Sequence, residues 1–200
     1  FKKSGKFVYA YANSYSQKEY YINSVADQVY LNPMGEADLK GLSAEILYMK
    51  DLQEKTGVKM EVIRHGKYKS AVEPFLAQEM SPENREQMTV LLNSVWNTIV
   101  VDIAKSRKLS IAQLNAIANT LGARTPELAL ANKLVDKVAY EDEYHDMIRA
   151  KLKVDKKEKY DIVSITDYAK KAASTVEDYS KNDIIAVIYA QGEIAGGEGD

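Results

Sequence analysis

Short runs rich in Val and Tyr alternate along this chain with stretches of helical spacing, and no other feature narrows its fold so far. Residues 7–12 and 28–31 read as strands, with a short helix over 17–25 between them. Residues 44–55 read as a longer helix stopped by Gly57. Residues 58–64 then alternate apolar and polar (Val58, Met60, Val62), as a half-buried strand does. Strand and helix signals in alternation predict an α/β domain.

The middle of the chain is helical, with clear punctuation. Ser81-Pro82 supplies an N-cap and a proline at the first helical position. Met88, Leu91, Leu92, Val95, Ile99 and Ile103 follow at spacings of three and four, a stripe expected to face a core. Ser110-Ile-Ala-Gln113 matches a capping box and opens a helix that Gly122 can stop, and Thr125-Pro126 opens another. A helix over 141–153 carries Glu141, Asp142 and Glu143 early and Arg149, Lys151 and Lys153 late, the order that complements its macrodipole. Residues 161–166 read as a possible strand, 167–173 as a short helix and 184–190 as the most apolar strand of all. Residues 1–155 are expected to form a first domain, 156–182 a linker region, and 183–200 the opening strand of a second domain. The start on Phe1 and the glycine-rich end predict a piece cut from a longer protein.

Composition removes several functions. Lys and Arg number 27 against 29 Asp and Glu, a formal net charge of −2, which takes away the electrostatic footing of a general nucleic-acid binder. No apolar run nears the roughly 20 residues needed to cross a bilayer. With no cysteine there is no disulfide, thiolate metal site or cysteine nucleophile. His65 and His145 stand far apart with no second histidine near either, so no metal site is expected. There is no Gly-x-Ser-x-Gly elbow, and the Gly192–Gly199 stretch fits neither a dinucleotide fingerprint nor a P-loop, so no cofactor is expected. The basic residues between 149 and 159 read as a solvated helix end, because an acidic cluster lies one or two turns away. Fourteen Tyr against three Phe is unusual, and Tyr9, Tyr11, Tyr15, Tyr20, Tyr21 and Tyr30 crowd the first thirty residues. Such a cluster suits a peptide cleft or, as the plainer reading, sheet packing with hydroxyls reaching water.

One segment carries candidate chemistry. Arg64-His-Gly-Lys-Tyr-Lys-Ser-Ala-Val-Glu-Pro-Phe75 follows an expected strand, turns at Gly66 and presents Lys69 and Ser70 before small residues. A lysine serves as general base for a serine only when its amine is neutral. From a reference pKa near 10.4, about one amine in 2,500 is neutral at pH 7, a deficit of roughly 4–5 kcal/mol that burial and distance from carboxylates must supply. The competing reading pairs Lys69 with Glu73 at i, i+4 as a surface bridge. Pro74 weakens that pairing by biasing Glu73 away from helical backbone.

Gly66-Lys-Tyr-Lys-Ser-Ala-Val-Glu-Pro-Phe75, followed by Met80-Ser-Pro-Glu-Asn-Arg85, closely resembles the signal peptide peptidase (protease IV, SppA) family. The first 21 residues look like that family's strand and following helix, and Thr125-Pro-Glu-Leu-Ala-Leu-Ala-Asn-Lys-Leu-Val-Asp136 resembles the short helix that runs into its Leu-Val-Asp. The resemblance covers essentially the whole chain. It implies an α/β fold of the crotonase/ClpP type, a superhelix of repeated β-β-α units, present here in part. It also implies a membrane-associated serine endopeptidase that degrades cleaved signal peptides with a Ser-Lys dyad, the lysine in the first domain and the serine in the second. Lys69 falls on the lysine of the Tyr-Lys-Ser motif. Where related domains carry the nucleophile of Ser-Gly-Gly-Tyr, this chain has Gln17-Lys18-Glu19-Tyr20, and Ser14 and Ser16 are offset from that place. The first domain therefore reads as lacking its nucleophile, and the chain alone is expected to cleave nothing. The implied partners are peptide substrates and further copies of the chain, a tetramer in the full-length form. The implied location is the bacterial inner membrane, anchored by a segment outside this chain, with the catalytic part facing the periplasm. The rival is a non-catalytic assembly domain of the same fold, with Lys69 as a structural ion pair. A crotonase-type acyl-CoA enzyme is disfavoured, because the lysine motif has no role in that chemistry.

Overall fold

Strands Tyr9–Ala12 (β1) and Gln28–Leu31 (β2) pair in parallel, in register from Tyr9 opposite Gln28 to Ala12 opposite Leu31. Parallel neighbours need a crossover, and the seven-residue helix Gln17–Asn23 (α1) lies within it. Its start is a capping box: the Ser16 hydroxyl accepts the Glu19 N–H at 3.3 Å and the Glu19 carboxylate accepts the Ser16 N–H at 2.9 Å. The third strand, Lys137–Val138 (β3), joins the other edge of β2 with Tyr30 opposite Lys137. The computed structural model describes residues 2–63, 65–156 and 158–173. The chain divides into two compact units, Phe1–Lys153 and Val154–Asp200.

In the first unit the sheet order is β1-β2-β3, and the central strand buries Val29, Tyr30 and Leu31 completely. A parallel sheet requires cover on its faces. The core around β2 takes in Tyr15, Tyr20, Leu39 and Leu134, Val100 and Ile103 of the long helix Pro82–Arg107, and Leu114 of Ile111–Asn119. Numbered in order, the helices after α1 are Lys50–Thr56 (α2), Glu73–Leu76 (α3), Pro82–Arg107 (α4), Ile111–Asn119 (α5), Pro126–Ala131 (α6) and Glu141–Leu152 (α7). Arg107, its side chain 7% exposed, donates to both oxygens of Asp136 at 2.9 Å and to the Lys133 carbonyl. Asp136 in turn accepts the Val29 N–H at 2.7 Å, which ties the approach to β3 onto β2.

The tyrosines pack against the sheet, but the innermost do not send their hydroxyls to water. Tyr15 donates to the Tyr30 carbonyl at 3.0 Å, Tyr20 to the Leu134 carbonyl at 2.8 Å, and Tyr30 to the Gln28 side chain. A buried hydroxyl must find a protein partner. Tyr144 of α7 stacks on Tyr11 at 5.1 Å between ring centres and meets Tyr30 edge-on at 5.2 Å.

Four expectations are corrected. Residues 58–63 form no strand: no described strand lies beside them, and Val58, Met60 and Ile63 face solvent. Residues 44–49 are not helical, and α2 begins only at Lys50, because the Met49 N–H donates to the Pro74 carbonyl at 2.7 Å. Gly57 does stop that helix in the left-handed region, at φ 72°. The apolar stripe of α4 meets the core only toward its C-terminus: Val100 and Ile103 are buried and Ile99 partly so, while Leu91 and Val95 are exposed. After α5, the left-handed residue is Leu121 (φ 53°), with Leu121 N–H bonded to Ala118 and Gly122 N–H to Ile117. That is the Schellman pattern, with Gly122 one place beyond the strained position.

In the second unit, Ile165–Ala173 (α8) is helical. Residues 161–164 are not a strand, and the Ser164 hydroxyl caps the helix by accepting the Asp167 N–H at 3.1 Å. The strand expected at 184–190 and the glycine-rich end lie outside the described residues.

Candidate active site

Lys69 sits on a loop that follows segment 58–63, which has no regular secondary structure, turns at Gly66 (φ 98°) and enters a single 3-10 turn, Ser70–Val72, followed directly by α3. The loop runs along the first two turns of α4. Lys67 approaches Glu83 at 3.8 Å, the Tyr68 hydroxyl donates to Glu86 at 3.2 Å, and the Ser70 hydroxyl to Gln87 at 3.5 Å. These contacts lie on the surface, where each is worth little by itself. Lys69 lies at the head of the 3-10 turn, exposed, on the rim of an open groove of ≈ 560 Å³ lined by Val62, Ile63, His65, Tyr68 and Val72.

The firm anchor is Glu73. It is 3% exposed, and its carboxylate accepts the N–H of Ser81, whose own hydroxyl caps α4 by accepting the Asn84 N–H at 3.2 Å. Glu73 holds helical backbone (φ −57°, ψ −37°) despite the proline after it. The bias from Pro74 yields to the Ser81 bond and to the Ala77 N–H on the Glu73 carbonyl. The expectation of a surface carboxylate at Glu73 is therefore corrected: it is an interior one. Val72 and Phe75 on either side were the available signal. Tyr48 lies in the same polar cluster, its phenol pushed up by burial and then by the Glu73 charge, against an opposing contribution from Asn84.

Gln53, which the sequence did not single out, ties the lysine loop to α2. Its amide donates to the Phe75 carbonyl and accepts the Met60 N–H, both at 2.8 Å.

Gln17, at the place compared with a nucleophile, is a latch. Its side-chain oxygen accepts the N–H groups of Lys40 and Gly41 at 3.1 Å each, and its NH₂ donates to the Gly41 carbonyl at 2.9 Å. Of the neighbouring serines, Ser16 is committed to the α1 capping box, which its spacing to Glu19 announces, and Ser14 is exposed. His65 is exposed, and His145 lies 3.8 Å from Glu141. Among the described residues no three His, Asp or Glu side chains gather as a metal set, and no helix is long and apolar enough to cross a membrane.

Residues 1–155 match the model of peptidase family S49. The chain is similar to Protease 4 of Haemophilus influenzae, 33% identical over 211 residues, covering 100% of this chain and 34% of that protein. It is similar to Protease 4 of Salmonella typhi, 36% identical over 206 residues, covering 99% of this chain and 32% of that one. It also resembles the chloroplastic serine protease SPPA of Arabidopsis thaliana, 29% identical over 195 residues, 98% of this chain and 29% of that protein. The chain thus spans about a third of the length of the curated relatives it matches.

Proposed function

Since the chain belongs to peptidase family S49, we propose that it is the lysine-bearing part of a serine endopeptidase, with Lys69 as the general base. The supporting observation is the presentation of Lys69: an exposed lysine lining an open groove, on a loop whose base is held by the buried Glu73. A neutral lysine amine accepts the proton of a serine hydroxyl as that oxygen attacks a peptide carbonyl, then returns it to the leaving amine. A Gln17 amide cannot play the serine's part, and the family resemblance assigns the nucleophile to a portion of the protein outside these 200 residues. That portion would also cover Lys69, supplying the desolvation that favours the neutral amine.

The parallel sheet would then be part of a crotonase/ClpP-like superhelix, and residues 183–200 the start of the serine-bearing domain. The substrates are extended apolar peptides such as cleaved signal peptides, and the whole protein is a membrane-anchored oligomer whose catalytic part faces the periplasm. In the full-length protein, Lys69→Ala is expected to abolish peptide hydrolysis while the thermal midpoint stays within a degree or two, because an exposed side chain is lost and no core is opened. Peptide turnover at the wild-type rate would sink the assignment.

A further inference from the structure

The loop that carries Lys69 is held very unequally on its two sides. Beyond the lysine, the chain is fastened at Glu73, Pro74, Phe75 and Gln78. The Glu73 carboxylate accepts the Ser81 N–H, and the Pro74 carbonyl accepts the Met49 N–H at 2.7 Å. The Phe75 carbonyl accepts the Gln53 side-chain NH₂ at 2.8 Å, and the Gln78 side chain donates to Asp51 at 2.6 Å. Ahead of the lysine, residues 58–63 make one hydrogen bond to another element among the described residues: the Met60 N–H donates to the Gln53 side-chain oxygen at 2.8 Å. Apolar packing does not make up the difference, since Val58, Met60 and Ile63 are exposed and no residue from 58 to 63 is buried. The contact of Lys59 with Glu61 runs along the segment and fastens it to nothing else.

One carboxamide therefore closes the neck of the loop. It projects from the middle of α2, accepts from residue 60 and donates to residue 75, with the whole of 61–74 between them. Among the described residues no backbone hydrogen bond crosses between 58–63 and 70–80, so the two sides of the neck meet through Gln53. Helix α2 is itself tied to the far side, at Met49 to Pro74 and at Asp51 to Gln78. The near side hangs from that post by the Met60 bond. Between the two sides, the contacts of Lys67, Tyr68 and Ser70 with α4 lie on the surface, where each constrains little.

We propose that Gln53 is a positioning residue for peptide hydrolysis: it touches no reacting atom, and by closing the neck it fixes where Lys69 stands when a serine hydroxyl approaches. The proposal rests on the reading of Lys69 as general base. A base works only from a defined place, and a misplacement of about 1 Å can cost roughly 100-fold in rate. A loop pinned on the far side alone lets Lys69 swing about the 3-10 turn that follows it. The peptide-binding surface need not change in that motion, so the loss falls on the chemical step. The core around β2 lies elsewhere and is untouched.

Two substitutions in the full-length protein test this. Gln53→Met keeps the length of the side chain and a good helix former, and removes both bonds. Its kcat is expected to fall about ten-fold or more while KM stays within roughly two-fold of wild type, the mark of an interaction that serves the reaction step. Gln53→Glu keeps an oxygen for the Met60 N–H and loses only the donor to Phe75, on the side that has other fastenings, so it should restore most of the lost kcat. Hydrogen exchange, read without substrate, should quicken over 58–69 in Gln53→Met and stay as in wild type over 73–81. Wild-type kcat in Gln53→Met, a loss carried by KM, a Gln53→Glu enzyme as slow as Gln53→Met, or unchanged exchange over 58–69 would each overturn the proposal. The two readings fail separately: an active Lys69→Ala enzyme removes the general base, whereas an inactive Lys69→Ala beside a fully active Gln53→Met removes the positioning role alone.

Discussion

At Glu73 a carboxylate does what an apolar side chain does elsewhere in this fold: it fastens a peripheral loop to a rigid element. The bond to the Ser81 N–H reaches the start of α4, so the turn that follows Lys69 is held from inside while the lysine is an exposed residue. A neutral amide keeps the accepting oxygen, and a methyl group does not. Glu73→Gln is therefore expected to leave amide exchange in the 66–81 loop close to wild type, whereas Glu73→Ala strands the Ser81 N–H at a cost of about 1–3 kcal/mol. Hydrogen exchange measured by mass spectrometry over that loop separates the two. Equal protection in all three proteins would mean that the loop is held by its surface contacts to Glu83, Glu86 and Gln87. Sequence spacing showed that Lys69 and Glu73 lie one helical turn apart, but burial is a property of the neighbours that gather around a residue.

Three helices began where their caps said they would, at Ser81, Ser110 and Thr125, because a cap is a bond between residues two or three apart and needs nothing from the rest of the chain. Their ends were less legible. Lys108, Leu121, Lys133 and Lys153 take left-handed backbone without being glycine, a conformation costing roughly 1–2 kcal/mol in a residue with a Cβ. Lys108 is exposed and closes α4 through the bond from its N–H to the Ala104 carbonyl. Lys108→Gly keeps that bond and removes the strain, so it is expected to raise stability by about 0.5–1 kcal/mol, read as a higher urea midpoint with an unchanged slope. A lowered midpoint would show that the lysine stem packs where its exposure says it does not. Residues 58–63 differ from the helices in kind: the alternation was real, but a strand exists only where another strand accepts its hydrogen bonds.

Across the first unit, the buried tyrosines couple stability to alkaline pH. Burial pushes the phenols of Tyr15, Tyr20 and Tyr30 up from their ordinary value near 10. A group whose folded pKa is raised contributes stability that is complete below its unfolded pKa and is lost as pH rises from there toward the folded value. Stability should therefore hold through neutral pH and fall above about pH 10, where the unfolded chain ionises phenols that the folded chain keeps neutral. Absorbance at the phenolate band, followed beside circular dichroism, checks this: part of the tyrosine signal should appear only as the fold is lost. Full ionisation with the fold intact would place those hydroxyls in contact with water. The sequence by itself determined the α/β class, the capped helix starts, β2 and the motif around Lys69, since each rests on short-range periodicity or on neighbours a few residues apart. Tertiary structure alone decided that Glu73 is interior, that Gln17 latches Lys40 and Gly41, that Arg107 grips Asp136, and that residues 58–63 stand outside the sheet. Each of these depends on which distant segments meet, a matter of packing the whole chain at once that no local pattern records.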